Sequence, residues 1–166
     1  MHERASELLH LLALARHPEG GRFREIFRSP HRVMRLEGAP RSALTTIYFL
    51  LAEGEHSRWH RVDADEIWHH YEGGPLVLFV AEPETLRVER QLLGPVRSPR
   101  SVGGPRRPIG IVPAGHWQAA QPLGVYALAG CTVAPGFERA GFELLADSPG
   151  LAARIREAAP ELAHLI

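Results

Sequence analysis

Hydrophobic positions recur at helical spacing only near the two ends of the chain. Between about residues 20 and 146 they fall into short runs broken by turn residues. Leu8, Leu11, Leu12 and Ala15 form an amphipathic stripe that predicts a helix over about residues 6–16, with Ser6 as cap and Pro18 as stop. Leu151, Ile155, Ala159 and Leu162 repeat the pattern and predict a second helix over about 149–164. Ser148 stands at its N-cap, Pro149 lies in its first turn, and Pro160 must kink or divide it. In between, strands are expected at Ser42 to Ala52, Ser57 to Asp63, Glu66 to Tyr71, Leu76 to Ala81 and Thr85 to Leu93. Ile109 to Val112, Trp117 to Ala120 and Gly124 to Val133 complete the set. Asp63-Ala64-Asp65, Glu72-Gly73-Gly74-Pro75, Pro113-Ala114-Gly115 and Pro122-Leu123-Gly124 read as turns. Successive strands at this spacing suggest an antiparallel sandwich or barrel, not βαβ units.

Composition narrows the class. The chain has 166 residues and 18.4 kDa, of which 45% are apolar and 23% charged, as expected of one folded domain and not of a disordered chain. Nineteen basic residues balance nineteen acidic ones, which argues against a nucleic-acid partner. Cys131 has no second cysteine to pair with and suggests a reducing compartment. In its apolar strand it reads as a small buried hydrophobe. The apolar run Leu8 to Ala15 is interrupted by His10 and is too short for a bilayer, so the expectation is a cytoplasmic protein with no membrane partner. Arg97 to Pro108, with Arg97, Arg100, Arg106 and Arg107, reads as a solvated loop, or more sharply as an anion-binding loop near a barrel mouth.

The chemistry concentrates between residues 56 and 70, where His56, His60, His69 and His70 accompany Asp63, Asp65 and Glu66. Strand alternation puts His60 and Val62 on one face, with Trp59 and Arg61 on the other. On the next strand Glu66, Trp68 and His70 share a face opposite Ile67, His69 and Tyr71. A hairpin through Asp63-Ala64-Asp65 brings His60 and Glu66 to one surface. An imidazole beside a carboxylate can hold a divalent metal, act as an oriented general base, or simply form a packed pair.

The segment from Gly54 through His60, Val62 and Glu66 to Gly73 resembles the first cupin motif, and Pro113-Ala114-Gly115-His116-Trp117-Gln118 resembles the second. More specifically, the chain is similar to the uncharacterised cupin-5 group, formerly domain of unknown function 985. That likeness rests on His17-Pro18-Glu19-Gly20-Gly21, Ser42 to Leu51, Trp59 to Tyr71, Val112 to Ala120 and Gly130 to Phe137, spanning about residues 6–146. The resemblance implies a mainly β fold, the RmlC-like double-stranded β-helix or jelly-roll barrel of cupins, as a single domain with a core over about 20–146. It also implies a site inside the barrel and assembly as a homodimer.

Departures from the family pattern shape the expected chemistry. Metal-binding cupins supply two His and a Glu from the first motif and a third His from the second. Here Val62 and Gln118 stand at two of those positions. No cofactor is therefore favoured; a divalent transition metal on His60, Glu66 and Gln118, with His70 or His116 substituting, is the alternative. Deoxysugar epimerases of the superfamily suggest acid–base catalysis instead, with His60 as base, Glu66 orienting it or titrating itself, and Tyr48 or Tyr71 as acid. Tyr71 lies on the face opposite Glu66, which weakens that analogy. Gln118 is then a hydrogen-bonding group for a small polar ligand, Trp68 a stacking wall, and His70, His116 and Arg24 further ligand-binding candidates. For Arg24 a surface ion pair is the competing reading. The functional classes left open are an isomerase-like enzyme acting on a sugar-like or carbonyl substrate, a metal-dependent cupin enzyme, and a non-catalytic binding protein.

Overall fold

The computed structural model describes residues 2–36, 38, 40–98, 100 and 104–166. Helix α1 (Glu3–Leu11) leads into strands β1 (Ala15–Arg16), β2 (Arg22–Arg28), β3 (Arg32–Met34), β4 (Pro40–Ser42), β5 (Thr45–Ala52), β6 (Ser57–Val62) and β7 (Asp65–Gly73). Strands β8 (Leu76–Ala81), β9 (Val88–Leu93), β10 (Ile109–Val112), β11 (Trp117–Pro122), β12 (Tyr126–Ala134) and β13 (Phe142–Leu144) follow, then helix α2 (Pro149–Ala158) and a 3₁₀ turn over Pro160–Leu165. A six-stranded antiparallel sheet in the order β1-β2-β5-β12-β7-β10 faces a five-stranded one in the order β13-β6-β11-β8-β9. A small β3-β4 ribbon stands apart. This is the expected jelly-roll barrel with a helix at each end.

Alternation sorts the side chains into three layers. Between the sheets, Phe49, Leu51, Trp68, Leu76, Leu78, Leu93, Ala120 and Ala129 pack one part of the barrel solid. Outside the five-stranded sheet, Trp59, Phe79 and Trp117 are covered by Leu145 and by Ala152, Ile155, Leu162 and Leu165 of the C-terminal segment. Outside the six-stranded sheet, Leu50, Tyr126 and Leu128 are covered by Ala5 and Leu8 of α1. Arg4 secures that helix by donating to both oxygens of Glu72, at 2.8 and 3.0 Å, while the Tyr126 hydroxyl donates to the same carboxylate.

Some boundaries differ from expectation. The first helix begins earlier, capped by the His2 side chain accepting from the Arg4 N–H. It ends at Leu11, where Ala13 adopts φ +49° and turns the chain into β1. Ser6 is thus inside the helix, and Pro18 lies beyond a strand. Pro160 divides the last helix as expected, and the closing bond there is the Ala159 N–H to the Ile155 carbonyl. Ser148 sits at the N-cap, but its hydroxyl donates to Glu143. Thr85 belongs to a turn, and with Leu86 at φ +56° the strand begins only at Val88. Of the Arg-rich stretch, residues 99 and 101–103 lie outside the described residues. Arg97 and Arg106 bridge through their backbones, and Arg107 lines an open groove beside β9, not the interior of the barrel. Among the described residues no helix is long and apolar enough to cross a membrane.

Ile155 is completely buried against the outer tryptophan layer. Ile155→Ala should cost about 2–5 kcal/mol of unfolding free energy through the cavity it leaves. Denaturant unfolding of the two proteins reads this directly; a loss below about 1 kcal/mol would show that the α2 contact does not stabilise the barrel.

Candidate functional site

Not all of the barrel is filled. Toward the end closed by Val62, Val133, Phe137 and Phe142, a cavity of about 170 Å³ remains, with Glu25 and Arg28 in its lining. Phe23, Ile47, Val62, Val133, Phe137 and Phe142 give it apolar walls, and His17, Glu19, His60 and Glu66 supply its polar groups.

Local structure explains how these groups come together. His60 on β6 stands in register with Gln118 on β11. Glu66 on β7 stands opposite Val133 of β12. Glu19 arrives from a turn, where Gly20 (φ +110°) and Gly21 (φ +68°) occupy conformations that L side chains rarely adopt, and a Cβ on Gly20 would overlap the His56 carbonyl. The Arg58 N–H then bonds to the Glu19 carbonyl at 2.8 Å and ties this turn to β6.

Two hydrogen-bonded sets result. In the first, His60 is 2% exposed and its Nδ1–H donates to the Arg58 carbonyl at 2.7 Å. That fixes the tautomer and aims the Nε2 lone pair at Glu19 Oε2, 3.2 Å away. Glu19 Oε1 accepts from the Ser57 hydroxyl at 2.8 Å, and Glu19 Oε2 lies 3.4 Å from His17 Nδ1. A neutral imidazole can accept here only if Glu19 carries a proton. Burial favours this state, pushing the Glu19 carboxyl up to about 8 against the opposing effects of Ser57 and Arg58. His60 is lowered by burial, partly offset by Glu66. His17 falls to about 3, chiefly through burial and then through the charges of His60 and Arg139.

The second set crosses the barrel. Trp68 Nε1–H donates to Gln118 Oε1 at 2.9 Å, and Gln118 Nε2 donates to Glu66 Oε2 at 2.6 Å. An indole N–H can only donate, so it determines which end of the Gln118 amide faces Glu66. Desolvation still holds the Glu66 carboxyl above its ordinary range.

His60, Glu66, Trp68 and Gln118 therefore meet around one interior, but not as paired from sequence. The carboxyl partner of His60 is Glu19, while that of Gln118 is Glu66. Trp68 packs edge-on against Phe49 beneath Gln118 and offers no stacking wall to the cavity. His70 turns away, its Nε2 donating to the Gly74 carbonyl, and a bulge around Tyr71 interrupts alternation just beyond it. His116 sits on the Pro113–His116 turn outside the cavity lining. Arg24 is exposed on the outer face, opposite Tyr48, whose ring meets that of Tyr71 there. Neither tyrosine lines the cavity, so neither is its acid.

The metal alternative can be tested on the donor set itself. Val62 offers no donor, Gln118 Oε1 is taken by Trp68, and His60 Nε2 faces a carboxyl that holds a proton. Among the described residues, no group of three or more His, Cys, Asp or Glu is arranged to hold a metal ion. These residues do not fit a transition-metal centre. Sequence reasoning missed His17 and Glu19 as site residues, although both lie in His17-Pro18-Glu19-Gly20-Gly21. An acidic side chain held rigidly by two glycines was the available signal.

The Cupin_5 family, described as Cupin superfamily (DUF985), matches residues 6–145. A hypothetical protein from Leishmania major is 31% identical, with a TM-score of 0.80 over 98% of this chain and 96% of that one. A protein from Shewanella oneidensis is 30% identical, with a TM-score of 0.80 over 97% and 95%. Oxalate decarboxylase from Bacillus subtilis shares the fold alone, at 18% identity and a TM-score of 0.57 over 91% of this chain and 36% of that one. No curated protein matches the chain.

The proton balance of the cavity predicts a pH profile for stability. The folded chain keeps a proton on Glu19 that the unfolded chain loses above about 4.5, so this group's contribution declines as pH rises through 4.5 to 8. Buried neutral His17 and His60 act oppositely. The unfolded imidazoles bind protons below about 6.5, and stability is lost as pH falls from there. Between pH 6.5 and 8 the carboxyl effect is left, and the melting temperature should fall. Glu19→Gln should flatten that fall; an unchanged slope in thermal unfolding would remove the proton from Glu19.

Proposed function

The chain belongs to the Cupin_5 family of the cupin superfamily, and we propose that its barrel cavity carries out metal-free acid–base chemistry on a small carbonyl compound. What supports this is the pairing of a proton-holding Glu19–His60 dyad with a second, separately hydrogen-bonded carboxyl, Glu66, in one buried cavity.

In this reading the substrate carbonyl lies toward Glu19 and His60, and its apolar body rests on Phe142 and Phe137. Glu66 removes a proton from the carbon beside the carbonyl. Its raised pKa makes it a stronger base than a carboxylate in water, while Gln118 holds one of its oxygens in place. The carbonyl oxygen, as it gains electrons, takes the proton held between Glu19 and His60. That leaves Glu19 ionised beside neutral His60, and protonated Glu66 beside an enol. Return of the Glu66 proton to either face or to the neighbouring carbon, with the dyad recovering its own, gives an epimer or an isomer. The base role passes from His60 to Glu66 because His60 Nε2 already accepts from Glu19. The apolar walls favour a compact carbonyl compound over a heavily hydroxylated sugar.

Proton nuclear magnetic resonance in D₂O, applied to a panel of small ketones, aldehydes and ketoses, tests the reading. Wild type should wash deuterium into the position beside the carbonyl of one class. Glu66→Gln and Glu19→Gln should each slow this about 10²–10⁴-fold. Saturable binding with no exchange anywhere in the panel would instead establish a binding protein. Elemental analysis of tag-free protein purified without chelator should give well below one equivalent of transition metal per chain; a full equivalent would overturn the metal-free assignment.

A further inference from the structure

A second concavity, of about 270 Å³, lies on the other side of the wall formed by His17 and Glu19. We propose that this pocket, lined by Arg16, Gly20, Gly21, Arg22, His56 and Arg58, is a binding site for a phosphate group. The inference rests on the acid–base reading of the barrel cavity only through the proton on Glu19.

Strand register brings two like charges together at this pocket. Arg16 on β1 stands directly opposite Arg22 on β2, and like charges at directly opposite positions of an antiparallel pair destabilise it. Glu55 meets one of the two, with its Oε1 2.8 Å from Arg22 Nη1. Arg58 reaches the same pocket but donates to an uncharged group, the Pro18 carbonyl, at 2.6 Å. Among the described residues no carboxylate forms an ion pair with Arg16 or Arg58. Glu19 does not supply the missing charge, because it holds its proton in the buried dyad. The pocket thus gathers three guanidinium groups around one carboxylate, a net surplus of positive charge that an anion would offset.

Gly20 and Gly21 carry no side chains, so the surface between the arginines stays open to a compact group. His56 adds a ring whose proton affinity is reduced by burial, then by His164 and Arg58, which leaves it neutral and able to serve as a hydrogen-bonding partner. Guanidinium groups match the spacing of phosphate oxygens.

Calorimetric titration in a dilute, phosphate-free buffer near pH 7 tests the site, with inorganic phosphate in one arm and glycerol phosphate in the other. One anion per chain should bind saturably. Loss of one charge-assisted contact in Arg16→Gln or Arg58→Gln should weaken binding about tenfold or more. Arg156→Gln, which removes an exposed charge elsewhere, should leave the affinity unchanged, and thermal melting confirms that each variant is folded. Tighter binding of glycerol phosphate would identify a phosphorylated metabolite as the ligand, and equal binding free phosphate; both support the site. Absence of saturable heat in both arms, or equal weakening in Arg156→Gln, would overturn it. Neither result bears on deuterium exchange in the barrel.

Discussion

Everything distinctive in this barrel follows from placing two carboxyl groups where water is scarce. A buried carboxyl must keep its proton or gather donors, because an uncompensated charge in a low-dielectric interior is very costly. The two glutamates take different routes. Glu19 keeps its proton and donates a hydrogen bond through it to a histidine whose tautomer is fixed from behind by the Arg58 carbonyl. Glu66 takes the amide of Gln118 as its donor. Burial raises both carboxyls above their ordinary range, and what distinguishes them is the set of hydrogen-bond partners that each one has.

The hydrogen-bond chain from Trp68 through Gln118 to Glu66 also joins the two sheets. Trp68 and Glu66 belong to β7 in the six-stranded sheet, Gln118 to β11 in the five-stranded one. A side chain that is 0% exposed with both ends of its amide satisfied is a structural tie as well as a site residue. Changes at Gln118 therefore couple the shape of the barrel to the basicity of Glu66.

The fold was legible because its pattern is local. Alternation located the central strands, paired His60 with Val62 on the inner face, and placed Glu66 and Trp68 inward together. Motif spacing then assigned these strands to a cupin barrel. What alternation could not carry was anything that depends on a bulge or on distance along the chain. The irregularity around Tyr71 interrupts the rule just beyond His70, and Tyr48 lies on the outer face of β5. Leu86 takes a backbone conformation that its residue type rarely adopts, so a strand expected from Thr85 starts late. Glu19 was invisible as the partner of His60 because it lies 41 residues away on a turn with no period. Its position depends on two glycines and on one backbone bond to Arg58.

Val62 and Gln118, which break the metal-binding pattern, look in the sequence like two separate losses. In the folded chain they serve one arrangement. Val62 joins Val133, Phe137 and Phe142 in an apolar wall where an imidazole would bring another polar group into the cavity. Gln118 turns its amide nitrogen, not its oxygen, toward Glu66, so the position that would have supplied a ligand supplies a hydrogen-bond donor. A single donor on Oε2 stabilises the carboxylate and leaves its other acceptor sites open. Glu66 keeps Gln118 as its donor, and His60 Nε2 faces Glu19. Restoring a histidine at position 118 alone would not recreate a metal centre. Trp68 would lose its acceptor, Glu66 would lose its donor, and position 62 would still lack a ligand.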